Sequence, residues 1–483
     1  MLKCNKSQNI STIIFKYFDD AKKGDETMKK NDTFMTTRGE RTSYGVYFFG
    51  QLVLFMLVTS FLQLFLTDMG VPALVVGGIF IAAKIWDAVN DPLFGVIVDK
   101  THLKGGKYKP WVKLSTFLIP LTTLFMFALP SGASIQVKSI WAAFSYMLWD
   151  TAYTMCDVPI FAIATAMTNQ VNERNTLYAL NRFFCMLGGL AVSILVPMLY
   201  PRIGWLPAAA IMCLMALATM LPIGFVAKER VNVEEENSPT LKELANYLIK
   251  NKYLLVFNGA FILYAFTNTT SAVQNYFAIN GLGGSEWITA LALTMSLPML
   301  AVALLVPKFI KRVDKFKLYM IAMGTTIVLS IIMFFLGYSN TVVFFVMAAL
   351  RSVSNSMSGV ILVMCTADCA EYGHFKSGRR AQGIAFSIQT FTAKISGAVA
   401  SAVCMFILGL VGFKSGIDVV QSTQTVEVIW FLYSAAPAIA GSLSFVLLLL
   451  FYKLNDHDVQ IMARCNQGEI TREEAEGQLL RKY

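Results

Sequence analysis

The chain has 483 residues, 56% of them hydrophobic and only 14% charged, with 36 phenylalanines, a mean hydropathy of +0.57 and a net charge of +10. A soluble chain of this length carries nearer a quarter charged residues, and here long apolar runs recur throughout, which excludes an ordinary soluble enzyme in favour of a polytopic helical membrane protein. The lysines and arginines fall in short connections between the apolar runs rather than in one patch, which excludes nucleic acid as the partner and reads as membrane topology.

The first 42 residues are polar and mixed in charge, carry no secretory signal, and are expected to form a cytoplasmic tail. Within it residues 9–18 are weakly amphipathic. Twelve apolar runs of about 20 residues or more follow. They cover residues 43–68, 71–98, 110–131, 138–167, 176–200, 206–227, 253–279, 287–309, 317–338, 341–370, 383–411 and 428–452. The expected fold is an all-α membrane protein of twelve transmembrane helices in two six-helix halves, 43–227 and 253–452. A cytoplasmic middle loop, 228–252, joins the halves, and a cytoplasmic tail, 453–483, ends the chain. With both termini in the cytoplasm, 32 of the 40 lysines and arginines lie on that side and only Lys138, Arg202 and Lys414 lie outside, the asymmetry that sets orientation.

Span two contains Lys84-Ile85-Trp86-Asp87-Ala88-Val89-Asn90-Asp91-Pro92. An ionised group at the centre of a membrane helix costs about 2.5–3.5 kcal/mol, so Lys84, Asp87 and Asp91 are expected to face protein or water. The two acids stand one helical turn apart on one face, and two carboxylates held that close in a low dielectric call for a proton or a metal ion between them. Pro92 has no N–H, which frees the Ala88 carbonyl as another oxygen. A buried ion pair with Lys84 is the simpler alternative. After span two, Asp99 precedes a basic loop, Lys100 to Lys109, and can act as a latch that pairs across to basic residues, or the loop only sets topology.

Span four places Asp150, Thr154 and Asp157 in one polar stripe, as expected for a helix lining a cavity. Asp150, nearer one end, can equally be a packing or gating residue. Span five carries Arg182, a natural partner for Asp157 or a donor to an oxygen-rich ligand, unless it snorkels to the interface. The middle loop holds Ser238-Pro239-Thr240 before Leu241, the start of a capped helix leading into span seven. Span ten carries Arg351 and ends in Asp368 and Glu371, followed by a loop with Arg379 and Arg380. Span eleven buries Gln389 and Lys394, and Lys394, with no acid in its own helix, looks to the first-half carboxylates. The eight cysteines read as small core residues. The three histidines sit in or near loops, so no histidine metal site is expected.

Trp86-Asp87-Ala88-Val89-Asn90-Asp91-Pro92, Gly106-Lys107-Tyr108-Lys109-Pro110-Trp111, Asp157-Val158-Pro159, and Glu371-Tyr372-Gly373 through Gly378-Arg379 occur in this order. Together they resemble the glycoside-pentoside-hexuronide:cation symporter family, the melibiose permease group of the major facilitator superfamily. The resemblance implies a coupling-cation site at Asp87, Asn90, Asp91 and Thr154, with Asp87 and Asp91 the metal ligands if the ion is sodium, and Lys394 beside it for coupling. It implies sugar binding at Asp157, Arg182 and Gln389, with Phe161 standing where the family has a Trp. Gln51 and Leu52 stand where the family has a first-helix Lys-Asp pair, which puts a simple galactoside in doubt and favours a different glycoside, a pentoside or an anionic sugar. Asp99, Lys84, Arg351, Glu371 and Arg379 are the gating and salt-bridge candidates.

The expected activity is secondary active symport of a sugar or glycoside with sodium or protons by alternating access, from a multi-pass protein of the bacterial inner membrane. No cofactor is expected beyond that coupling ion. The expected partners are the sugar, a monovalent cation and membrane lipid, with the chain working as a monomer. A cation-coupled carrier of lysolipid or another amphiphile is the alternative, and a membrane-embedded enzyme or flippase a further one. An enzyme would need a nucleophile with its base, or metal ligands, facing the cavity, and the polar cluster holds carboxylates without a His or Cys companion.

Overall fold

The computed structural model describes residues 34–101, 105–231, 241–309, 313–378, 382–416 and 419–481. Arg379, and the side chains of Asp99 and Lys394, lie outside the described residues, so the Asp99 latch and the Lys394 pairing are not placed by it. All regular structure among the described residues is helical.

The first half is built from α1 (Arg38–Asp68), α2 (Ala73–Lys100), α3 (Lys109–Phe127), α4 (Ile135–Met167), α5 (Val171–Ile203), α6 (Trp205–Met220) and the short α7 (Ile223–Val226). The middle loop contributes α8 (Leu241–Lys250). The second half holds α9 (Lys252–Ala265), α10 (Thr269–Asn280), α11 (Glu286–Phe309), α12 (Lys315–Leu336), α13 (Thr341–Ser377), α14 (Gln382–Leu410) and α15 (Thr423–Phe451). Nine helices among the described residues are long and apolar enough to cross a membrane. Of the other expected spans, α4 is a 33-residue helix carrying Lys138, Asp150 and Asp157. Span seven is interrupted by a single 3-10 turn, Phe266–Asn268, that separates α9 from α10.

The helix starts follow from local chemistry. Thr37 and Glu40 form a reciprocal capping box at α1, and Ser134, Asp314, Asn340 and Ser422 each accept a backbone N–H at the starts of α4, α12, α13 and α15. Proline inside a helix strips one carbonyl of its partner, and the fold reuses that carbonyl. Pro437 in α15 leaves the carbonyl of Tyr433 without its usual N–H, and the oxygen accepts instead from Thr270 Oγ1 at 2.9 Å and Arg351 Nη1 at 3.0 Å.

One core runs through the first half and on to Val273, Tyr276, Phe277, Met405, Leu408 and Tyr433 of the second. A second core fills the opposite end of the second half around Phe257, Tyr319, Cys365 and Tyr452. The halves meet at the end that carries the connections α1–α2, α10–α11 and α14–α15. There Asn275 Nδ2 donates to the Ser60 carbonyl at 2.6 Å, Thr67 and Tyr276 share a hydroxyl bond of 3.2 Å, and Ser415 donates to the Val71 carbonyl at 2.8 Å. Thr289 of α11 donates to the Ser193 carbonyl of α5 at 3.1 Å. Two glycines permit the close approach of α2 and α14: a Cβ on Gly77 would lie 3.2 Å from the Ala402 carbonyl, and one on Gly409 2.4 Å from the Leu74 side chain. Large apolar side chains such as Leu121, Leu214, Phe335 and Leu443 are left on the outer faces, where hydrocarbon replaces water.

The C-terminal stretch, read from the sequence as a tail, folds back as α16 (Asp456–Asn466) and α17 (Arg472–Gln478). Lys315 bridges Asp368 of α13 at 2.6 Å and Asp456 of α16 at 3.4 Å, and Asn466 donates to Glu371 at 2.8 Å.

Candidate functional site

The site begins where α2 crosses α4. Asn90 is 7% and Thr154 4% exposed, and Asn90 Nδ2 donates to Thr154 Oγ1 at 2.9 Å, while Thr154 Oγ1 donates to Asp91 Oδ1 at 2.9 Å. One turn away Asp87 holds Lys84 through an Oδ2–Nζ contact of 3.2 Å. The Lys84 pair weighed against a cation site is therefore formed, but it engages Asp87 and leaves Asp91 to Thr154. Trp86 Nε1 donates to Thr151 Oγ1 at 2.9 Å, a second tie between the two helices. The arrangement gathers two carboxylates, a hydroxyl and an amide whose nitrogen is the bonded end. These are hard oxygen donors of the kind that hold a hydrated alkali cation or a proton. Among the described residues no group of three or more His, Cys, Asp or Glu side chains is placed to hold a metal, so neutral oxygens would have to complete any metal shell.

Next to Thr154 on α4, Tyr153 stacks on Trp149 at 5.1 Å and meets Phe55 of α1 at 5.3 Å. Gln51, itself 3% exposed, lies beside the Tyr153 hydroxyl, and Asp157 is within electrostatic reach. Phe161 is 46% exposed, with its ring 5.3 Å from that of Phe48. Tyr153, Asp157 and Phe161 thus recur at four-residue steps along α4, with Gln51 and Phe48 of α1 against that face. Tyr153 was legible but missed: it stands four residues before Asp157, on the face of the polar stripe.

Arg182 is exposed, and among the described residues no ion pair joins it to Asp157, which leaves its other expected roles, a donor to an oxygen-rich ligand or a side chain at the interface. Arg182 lies within electrostatic reach of Cys185, one turn on along α5. Gln389 is buried at 9% exposure. Arg351, 5% exposed, was expected in a salt bridge, and the structure gives it the Tyr433 carbonyl freed by Pro437 and the Tyr433 ring at 5.1 Å. A carbonyl and an aromatic face satisfy a buried guanidinium without a second buried charge. Glu371 is engaged by Asn466 of α16, a partner no reading of span ten alone could supply.

Residues 43–456 match the profile of the family described as MFS/sugar transport protein. The chain belongs to this family. It is an integral membrane transporter and not an enzyme. It is 28% identical over 447 residues to an isoprimeverose transporter of Lactiplantibacillus pentosus, covering 90% of this chain and 92% of the relative. A putative sulfoquinovose importer of Salmonella typhimurium is 27% identical, with 86% of this chain and 90% of the relative covered. The fold is also that of the nucleoside transporter NupG, with a TM-score of 0.62 at 14% identity, covering 86% of this chain and all of that structure. The two relatives, and a lactose permease of Lactobacillus helveticus, bear the names of sugar transporters, in keeping with the resemblance drawn from the motifs.

Proposed function

We propose that this MFS sugar transporter is a cation-coupled symporter of a sugar or glycoside, with twelve crossing segments, both termini cytoplasmic, and an alternating-access cycle. The observation that carries the reading is the Asn90–Thr154–Asp91 chain of hydrogen bonds across two helices buried in apolar surroundings. A structural ion pair needs no second acid with its own hydroxyl partner, whereas an ion site does. Asp87, Asn90, Asp91 and Thr154 hold the cation, sodium or a proton, and Lys394 stands in reserve as coupling residue. Asp157, Gln51, Tyr153, Phe161, Arg182 and Gln389 take the sugar: hydroxyls are accepted by the carboxylate and amide, and the ring's apolar face packs on aromatic side chains. Among the described residues the hydrogen bonds that join the halves gather at one end, which fits a state whose cavity opens to the other.

Uptake of radiolabelled isoprimeverose and a panel of pentosides and glycosides into inverted and right-side-out vesicles, with and without sodium and a pH gradient, tests the reading. Accumulation driven by either gradient supports it. Gradient-independent equilibration of every sugar would refute the coupling, and exclusion of every sugar would refute the substrate class.

A further inference from the structure

A carboxylate that the transport site does not use joins the α2–α3 loop to the start of the middle loop. The α2–α3 loop turns through Gly105 and Gly106, at φ of 112° and 126°. It offers the N–H groups of Lys107, Tyr108 and Lys109 to Glu229 at 2.8, 2.9 and 2.6 Å. Those of Tyr108 and Lys109 are orphan donors at the start of α3, which has no side-chain cap of its own, so an acid 120 residues downstream caps the helix and complements its dipole. A Cβ on Gly106 would fall 2.6 Å from the Glu229 carboxylate, so the glycine is required by the docked acid as well as by its backbone.

The contacts continue through the next residues. Arg230 Nη1 holds Glu40 of α1 at 2.9 Å, and the N–H groups of Arg230 and Val231 donate to the Ala166 carbonyl of α4 at 2.7 and 2.9 Å. Lys109 Nζ donates to the Phe225 carbonyl of α7 at 3.2 Å. Residues 229–231, the first of the chain to leave this half, therefore grip α1, α3 and α4 together.

We propose that Glu229 is a positioning residue of the transport cycle: it fixes the α2–α3 loop to the root of the middle loop, so that this end of the first half moves as one body. The proposal rests on the symporter reading for the motion it transmits. Displacement of the second half pulls on the middle loop, and three charge-assisted bonds at Glu229 pass that pull to α3 instead of letting the loop bend. Glu229→Ala should release the three amides and let the loop flex independently of α6 and α7.

Two measurements on the full-length protein decide it. Amide hydrogen exchange should be about tenfold faster or more at Lys107, Tyr108 and Lys109 in Glu229→Ala, with an intermediate effect in Glu229→Gln, which keeps an acceptor oxygen but not the charge. Exchange of labelled isoprimeverose across proteoliposomes should lose about tenfold in maximal rate, with half-saturation and sugar Kd within about twofold of wild type. Unchanged exchange at the three amides overturns the assignment, and so does a wild-type maximal rate. A loss of rate matched by equal losses of sugar affinity and Tm in both variants also overturns it, because that is general unfolding. Wild-type protein that moves no sugar defeats the symporter reading before any variant is compared, so the two failures are distinct.

Discussion

Thr154→Val is the sharpest test of the cation site, because valine keeps the shape of threonine and removes only the oxygen. In the structure that oxygen does two things: it donates to Asp91 Oδ1 at 2.9 Å and accepts from Asn90 Nδ2 at 2.9 Å. A hydrogen bond to a charged partner contributes about 1.5–3 kcal/mol and one between neutral groups about 1 kcal/mol, so the substitution removes roughly 2.5–4 kcal/mol of local interaction. Part of this is lost from the empty site as well as the filled one, and water recovers part, which leaves about 1.5–3 kcal/mol in ion affinity, or some 10- to 150-fold. The assay is sugar uptake into vesicles as a function of cation concentration. Half-activation should move up by that factor in Thr154→Val, stay near wild type in Thr154→Ser, and leave sugar affinity at saturating cation within about threefold. Wild-type half-activation in Thr154→Val, or an equal loss of sugar affinity at saturating cation, would refute the assignment of this hydroxyl to the ion.

Three further expectations follow from the same geometry. Because no ion pair joins Arg182 to Asp157 among the described residues, Asp157→Ala should abolish sugar binding on its own, and a double-mutant cycle with Arg182→Gln, measured on the residual binding of Asp157→Asn, should show coupling under about 0.5 kcal/mol; strong coupling would restore the expected pair. Arg351→Met should lower Tm by several degrees, since the Tyr433 carbonyl freed by Pro437 loses one of its two donors, while Arg351→Lys, which keeps a charged donor, should lower it less. Glu173 is fully buried, and although burial raises its pKa, hydrogen bonds from Thr168, Thr36 and Met35 outweigh this and hold it below its ordinary 4.5. A depressed folded pKa stabilises above the unfolded value and is lost as pH falls through the folded one. The stability gap between wild type and Glu173→Gln, read from thermal unfolding, should therefore be full at pH 7 and shrink below about pH 4.5. A gap that widened with acid would contradict it.

Much of this protein was decided by local rules that a sequence carries. A membrane core tolerates only segments that satisfy their own backbone, so the apolar runs had to be helices, and the cap residues Thr37, Ser134, Asn340 and Ser422 start them where the polar connections end. The cost of an ionised group in hydrocarbon singled out Lys84, Asp87, Asp91, Asp157 and Arg182 without any coordinates, and the four-residue spacing put Asp87 and Asp91 on one face. Lys84 with Asp87 is a pair within one helix that local spacing could offer, and the resemblance grouped Thr154 with Asn90 and Asp91, but other partners drawn from separate helices lie at separations no local rule spans. Asp91 and Asn90 meet through Thr154 only because α2 crosses α4 at that level. Arg351 turns to a carbonyl because a proline in α15 left one free, and Glu371 turns to a tail that folds back on α13. Glu229 carries no local signal of its role, and only the fold brings it to three backbone donors of the α2–α3 loop. Hydrophobic periodicity and the energetic cost of buried charge are properties of a segment and can be read along it. Hydrogen-bond satisfaction is a property of the packed whole, and tertiary structure alone assigns it.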